Sequence, residues 1–276
     1  MEFRTRVEIQ KPGFEIGPFE EMLFVGSCFA DAIGQRFVEN KFRATVNPYG
    51  VMYNPASVLH TVERLVAERK ASCGWPRVAF ITLGTNHVYR LKETGEIVDN
   101  CQKRPAALFQ EEQLTIDECA DYLQRTVDLL ASCRPDVRIV FTVSPIRYRK
   151  YGYHESQLSK ATLLLAVHKL SAIHYFPAYE IVMDELRDYR FYASDMLHPS
   201  EQAVEYIWQQ LVEYYLSSAA RQFLNEWQPL RQALFHRPLH PDSDEYRAFA
   251  EKTRQQLALF RQKYPLCALD NALNGK

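Results

Sequence analysis

Met22-Leu23-Phe24-Val25 runs directly into Gly26-Ser27-Cys28-Phe29-Ala30. A short apolar run of this kind reads as a strand, and it empties into the start of a helical pattern. The serine stands where a strand turns into a helix, the place of a nucleophile. Much later, Ser194-Asp195-Met196-Leu197-His198-Pro199 supplies an aspartate and a histidine, just ahead of another helical stretch. A serine hydroxyl is almost wholly protonated at neutral pH, so it attacks an ester only with an imidazole to take its proton and a carboxylate to orient that imidazole. Ser27, His198 and Asp195 are therefore the candidate nucleophile, general base and orienting acid.

Outward from that first strand, apolar runs alternate with helical patterns. Strands are expected at Met22 to Val25, Ala44 to Val46, Val78 to Leu83, Val137 to Val143 and His174 to Tyr179. Apolar residues at helical spacing fill Cys28 to Glu39, Pro55 to Arg69, Asp117 to Cys133, Gln157 to Ala172 and Glu201 to Ser217. Such alternation implies an α/β fold: a three-layer α/β/α sandwich around a mainly parallel sheet of about five strands. Arg134-Pro135-Asp136 ends a helix before the fourth strand, which is expected to be central. Beyond Ser217 two helical segments, Ala219 to Phe235 and Ser243 to Tyr264, suggest a C-terminal helical hairpin. The expected organisation is a main domain over residues 1–216 and a helical extension over 217–276 packed on it.

The chain has 276 residues, 47% of them hydrophobic, enough for one large domain with a well-buried core. Its 33 basic and 34 acidic residues nearly cancel, so no whole-molecule field favours nucleic acid or an anionic membrane. Met1 to Arg6 lacks the apolar region of a secretory signal and no apolar run reaches the roughly 18 residues of a membrane helix, so a cytoplasmic protein is expected. The six cysteines, Cys28, Cys73, Cys101, Cys119, Cys133 and Cys267, are scattered and expected to be reduced, although three disulfides would be open to an exported chain.

In an open parallel sheet, ligands bind beyond the carboxyl ends of the strands. Ser27 follows the first strand there, Gly50 the second, Asn86 the third, and Ser144 to Arg147 the fourth. Each has a plainer reading. Ser27 also suits a helix N-cap, Asn86 a turn, Asp195 the cap of the next helix, and Arg147 a solvated loop. Cys28 is a rival nucleophile, because a thiol at a helix N-terminus has a lowered pKa. Successive helical residues diverge by about 100°, so Ser27 and Cys28 are not both expected to face one histidine. Arg147 suits an anionic or hydroxylated substrate group, and Tyr189, Phe191 and Tyr192 suit sugar rings or the core. Cations and aromatics interleave from Arg147 to His154, but with net charge -1 no nucleic-acid partner is expected. Pro238 between His236 and His240 argues against a helical metal pair, and neither metal nor cofactor is expected.

The ordered set of a Gly-Xaa-Ser-like turn, a glycine, Gly84-Thr85-Asn86 and a late Asp-Xaa-Xaa-His resembles the SGNH/GDSL hydrolase superfamily. More narrowly, Gly26-Ser27-Cys28-Phe29-Ala30 resembles the signature of the bacterial GSCFA family. Asn47-Pro48-Tyr49-Gly50, Tyr53-Asn54-Pro55, Asn100-Cys101-Gln102-Lys103, Ser144-Pro145-Ile146-Arg147 and Asp188-Tyr189-Arg190-Phe191-Tyr192 are similar to that family too. The resemblance implies a Ser27 acyl-enzyme whose oxyanion is held by the Ser27 NH, the Gly50 NH and the Asn86 amide. It departs in reading Gly-Ser-Cys for Gly-Asp-Ser and Gly-Thr-Asn-His for Gly-Xaa-Asn-Asp. Gln102 stands where the family often has histidine, which argues against proton transfer there. The implied activity is metal-free serine esterase chemistry, for example O-deacetylation of a carbohydrate or cell-wall-related ester, with Arg147 and Tyr192 binding substrate. A non-catalytic glycan-binding protein and an acyltransferase on the same scaffold are the alternatives, and no oligomeric state is implied.

Overall fold

The computed structural model describes residues 4–68, 74–99, 101 and 103–268. Strand β1 (Met22–Gly26) is buried along its whole length, as an unbroken apolar run covered on both faces demands. It is followed by α1 (Cys28–Glu39), β2 (Ala44–Val46), α2 (Pro55–Glu68) and β3 (Val78–Leu83). A three-stranded antiparallel sheet then interrupts the α/β rhythm: β4 (His87–Leu91) lies between β5 (Ile97–Val98) and β6 (Phe109–Gln113). The rhythm resumes with α3 (Ile116–Cys133), β7 (Arg138–Val143), α4 (Tyr153–His168), β8 (His174–Tyr175), the short α5 (Ala178–Glu180) and α6 (Glu201–Tyr215). The chain closes with α7 (Ser218–Phe235) and α8 (Asp244–Lys263).

The main sheet has the order β2-β1-β3-β7-β8, and every neighbouring pair is parallel. Alternate residues divide its two faces. Met22, Phe24, Val78, Phe80 and Val140 join the core formed with α1, α6, α7 and α8. Leu23, Val25, Ala79, Ile81, Ile139 and Phe141 join the core under α2, α3 and α4. The result is the α/β/α sandwich with a five-stranded parallel sheet. Strand order reverses at β1, so a crevice opens beyond the carboxyl ends of β1 and β3.

Several boundaries differ from expectation. The fourth main strand, β7, is interior as expected, but β3 holds the middle of the sheet. β8 stops at Tyr175 because Pro177, which lacks an amide proton, precedes the turn into α5. α4 begins at Tyr153 rather than Gln157, after Gly152 takes φ +81°, and it ends at His168, before Ala172 with φ +59°. The small sheet was not expected: β6 shows water Gln110 and Glu111, so its polarity hides it from a search for apolar runs. Arg69, Cys73, Asn100 and Gln102 lie outside the described residues. Cys28, Cys101, Cys119 and Cys133 are free thiols. Among the described residues no helix is long and apolar enough to cross a membrane.

The C-terminal hairpin packs on the fold through Phe223, Trp227, Leu257 and Phe260, which share one core with Phe37 and Phe42. Trp227 Nε1 donates to the Glu39 carbonyl at 3.0 Å, at the far end of α1 from Ser27.

Candidate active site

The turn after β1 is built on backbone. Gly26 has φ +145°, and a Cβ there would lie 2.0 Å from the Thr82 carbonyl oxygen, so only glycine lets β1 and β3 stay paired to the last residue. Asn47 fixes the same turn, accepting from the Gly26 NH at 2.8 Å while donating to Asp31 at 2.7 Å. Ser27 then caps α1: its Oγ accepts from the Phe29 NH at 3.3 Å, its own NH donates to the Thr82 carbonyl at 3.1 Å, and it is 1% exposed. Cys28, the first residue of α1, is only half-buried, and its Sγ lies 3.4 Å from Tyr53 Oη. Both residues line one cavity of about 250 Å³ with His198.

His198 is oriented by its own loop. Asp195 Oδ2 lies 2.6 Å from His198 Nδ1, while Oδ1 accepts the backbone NH groups of Leu197 at 2.9 Å and His198 at 3.0 Å. Met196 takes the left-handed conformation, φ +59°, that folds the loop back on itself. These two backbone NH groups, and then the imidazole, pull the Asp195 carboxyl down to about 2, so it is ionised at any ordinary pH. An anionic partner on Nδ1 places the imidazole proton there and leaves Nε2 as the acceptor. Arg147 ties this loop to the end of β7: its NH donates to the Leu197 carbonyl at 3.1 Å and its guanidinium to the Met196 carbonyl at 3.2 Å.

Arg147 also walls a second cavity of about 350 Å³ that holds Tyr153, Tyr189 and Tyr192. Its guanidinium lies over these rings, 4.1 Å from the Tyr153 centroid and 5.4 Å from that of Tyr192. Asp184, Arg187 and Asp188 also line this cavity.

The expected oxyanion hole is not assembled. The Ser27 NH is committed to Thr82. Gly50 is exposed in a turn whose NH donates to the Asn47 carbonyl at 2.9 Å. Asn86 is buried, with Nδ2 donating to the Leu114 carbonyl at 2.7 Å and its NH to Ser159 Oγ at 3.0 Å, and it serves the entry into the small sheet. Neither Gly50 nor Asn86 lines the cavity. One free backbone donor at this edge is the Cys28 NH, which finds no protein acceptor among the described residues and sits at the positive end of α1. Sequence reasoning also missed Tyr53 and Lys160 in the cavity wall. Lys160 sits in a helical repeat like any surface lysine, and nothing in its neighbours marks it. Among the described residues no group of three or more His, Cys, Asp or Glu is placed to hold a metal ion.

Solved structures that match the chain include a protein from Streptococcus pneumonia named after platelet activating factor, with TM-score 0.46 and 15% identity over 72% of this chain and 84% of that one. An acetyl esterase gives TM-score 0.43 and 10% identity over 75% and 100% of the two chains. An acetyl-xylooligosaccharide esterase from Geobacillus gives TM-score 0.42 and 14% identity over 74% and 100%. Among curated proteins no sequence matches. The GSCFA family profile matches residues 21–75 and 70–211, and that of the GSCFA domain protein, C-terminal domain, matches 227–274. With most of its length so covered, the chain belongs to the GSCFA family.

Proposed function

We propose that the protein is an acyl-ester hydrolase that works through a covalent acyl-enzyme, without a metal. One observation carries the reading: a histidine already oriented by an ionised aspartate shares a cavity with two nucleophile side chains at a helix N-terminus. His198 Nε2 takes the nucleophile's proton as its oxygen or sulfur attacks the ester carbonyl. The tetrahedral oxyanion collapses, the carbon–oxygen bond to the alcohol breaks, and the alcohol leaves with the proton from His198. Water, deprotonated by the same imidazole, then releases the acid.

Ser27 is the nucleophile by resemblance. The exposure of Cys28 favours a second reading: Ser27 Oγ is buried and occupied as a cap, whereas Cys28 Sγ opens to the cavity beside an unoccupied backbone NH. In that reading Ser27 is the positioning residue and Cys28 the catalytic one. The tyrosine-lined cavity next door supports a carbohydrate alcohol, whose CH faces pack on Tyr153, Tyr189 and Tyr192 while Asp184 and Asp188 accept from its hydroxyls.

The test is covalent labelling with a fluorophosphonate and, separately, iodoacetamide, with the adduct located by peptide mass spectrometry in the wild type, Ser27→Ala, Cys28→Ala and His198→Ala. A fluorophosphonate adduct on Ser27 that disappears in His198→Ala supports the serine route. A His198-dependent alkylation of Cys28 at neutral pH supports the thiol route, and ester turnover should survive EDTA in either. Absence of both adducts from the folded wild type would overturn the hydrolase reading in favour of a non-catalytic binding protein.

A further inference from the structure

Among the described residues, Lys160 is the one buried cation of the cavity. It lies on α4 and is 3% exposed. Its ammonium donates to the Gly84 carbonyl at 2.6 Å, and among the described residues it has no ion-pair partner. An ammonium carries three donors, so two remain beyond that bond. Gly84 and Lys160 both form the cavity wall beside Ser27, Cys28 and His198.

The other cations there are already engaged or open to water. Lys150 faces Glu111 at 3.2 Å, Arg147 is stacked on tyrosines and bonded to Met196, and Arg149 is exposed. No carboxylate lines the cavity among the described residues. An isolated charge kept from water is costly, so such a group either gives up its proton or takes up a counter-charge. Burial alone holds Lys160 down to about 7, so an arriving anion would also fix its proton in place.

We propose that Lys160 makes this cavity an anion subsite, so that the ester it accepts carries a carboxylate or phosphate close to the reacting carbonyl. The subsite rests on the hydrolase reading only in naming its ligand a substrate. The rival role, a purely structural clamp on the Gly84 loop, needs no anion: Ser159 Oγ already accepts from the Asn86 NH and meets Thr85 Oγ1 at 3.0 Å.

Binding separates these roles without turnover. Inorganic phosphate and succinate are titrated by calorimetry into the wild type, His198→Ala, Arg149→Ala and Lys160→Met, with glycerol as the neutral control. Saturable binding of at least one anion is expected in the wild type and His198→Ala, weakened at least tenfold in Lys160→Met and less than threefold in Arg149→Ala. The Lys160 ¹³Cε resonance of the wild type should shift with the same isotherm, which keeps the test intact if Lys160→Met does not fold. On esters, 4-nitrophenyl hemisuccinate should exceed 4-nitrophenyl butyrate in kcat/KM by at least tenfold in the wild type, and Lys160→Met should erase that preference. Absence of anion binding and of any ¹³Cε shift in the folded wild type, or full binding by a folded Lys160→Met, overturns the subsite. Anion binding as expected, without turnover or labelling, supports the subsite and overturns the hydrolase reading alone.

Discussion

At the end of the sheet where α1 finishes, Trp227 is fully buried and its indole NH is satisfied by Glu39; at the end where α1 begins, Ser27 and Cys28 border an open cavity and Lys160 is buried without a counter-charge. The hairpin of α7 and α8 belongs wholly to the first end. None of its residues lines the cavity, so it closes the core and does not cap the site. Cohesion and the proposed chemistry thus fall at opposite ends of the same helix, and each end should fail in its own way.

Four substitutions test that division, in descending order of effect. His198→Ala should lower kcat/KM for an ester by about 10²- to 10⁴-fold, the usual worth of a positioned base, and leave the denaturation midpoint nearly unchanged. A loss below tenfold would remove His198 from the chemistry. Trp227→Ala should cost about 3–5 kcal/mol in urea unfolding, while the folded fraction keeps kcat within about twofold. A marked loss of activity in folded Trp227→Ala would show that the two ends are coupled. Asn86→Ala should cost about 1–3 kcal/mol of stability, because the Leu114 carbonyl loses its donor, with kcat of the folded protein within tenfold. A fall of about 10²- to 10³-fold would instead return Asn86 to the oxyanion. The effect that is smallest per step is in the pH dependence of stability. Lys160, held down to about 7 by burial, is mostly neutral in the folded chain above that pH and protonated in the unfolded chain up to about its ordinary 10.5. Over that window the unfolded state binds more protons, so this residue makes stability rise with pH, by at most about 1.4 kcal/mol per unit. Lys160→Met should remove that rise; an unchanged slope would show that burial does not hold the lysine neutral.

The middle of the sheet was legible in the sequence because β1, β3 and β7 are buried on both faces and announce themselves as apolar runs: Val78–Leu83 begins and ends where expected. Cys28–Glu39 was equally legible, since a serine cap and helical spacing agree on its start. The Asp195–His198 pair was readable because three residues are enough to close its hydrogen bond. The oxyanion donors were not, because an NH or amide serves catalysis only if the fold leaves it free, and the fold uses those of Ser27, Gly50 and Asn86 for its own bonds. Lys160 stayed hidden for a related reason. Its spacing places it on α4, but its burial depends on Gly84, 76 residues away.

The Asp195 loop has a further consequence for alignment. One carboxylate oxygen holds the loop backbone and the other the imidazole, so aspartate, histidine and the peptide between them form a single rigid unit. A displacement of the loop therefore carries acid and base together, with their mutual geometry intact. What remains adjustable is how that unit sits against the β1–α1 turn, and the bonds from Arg147 to Met196 and Leu197 anchor it to the end of β7.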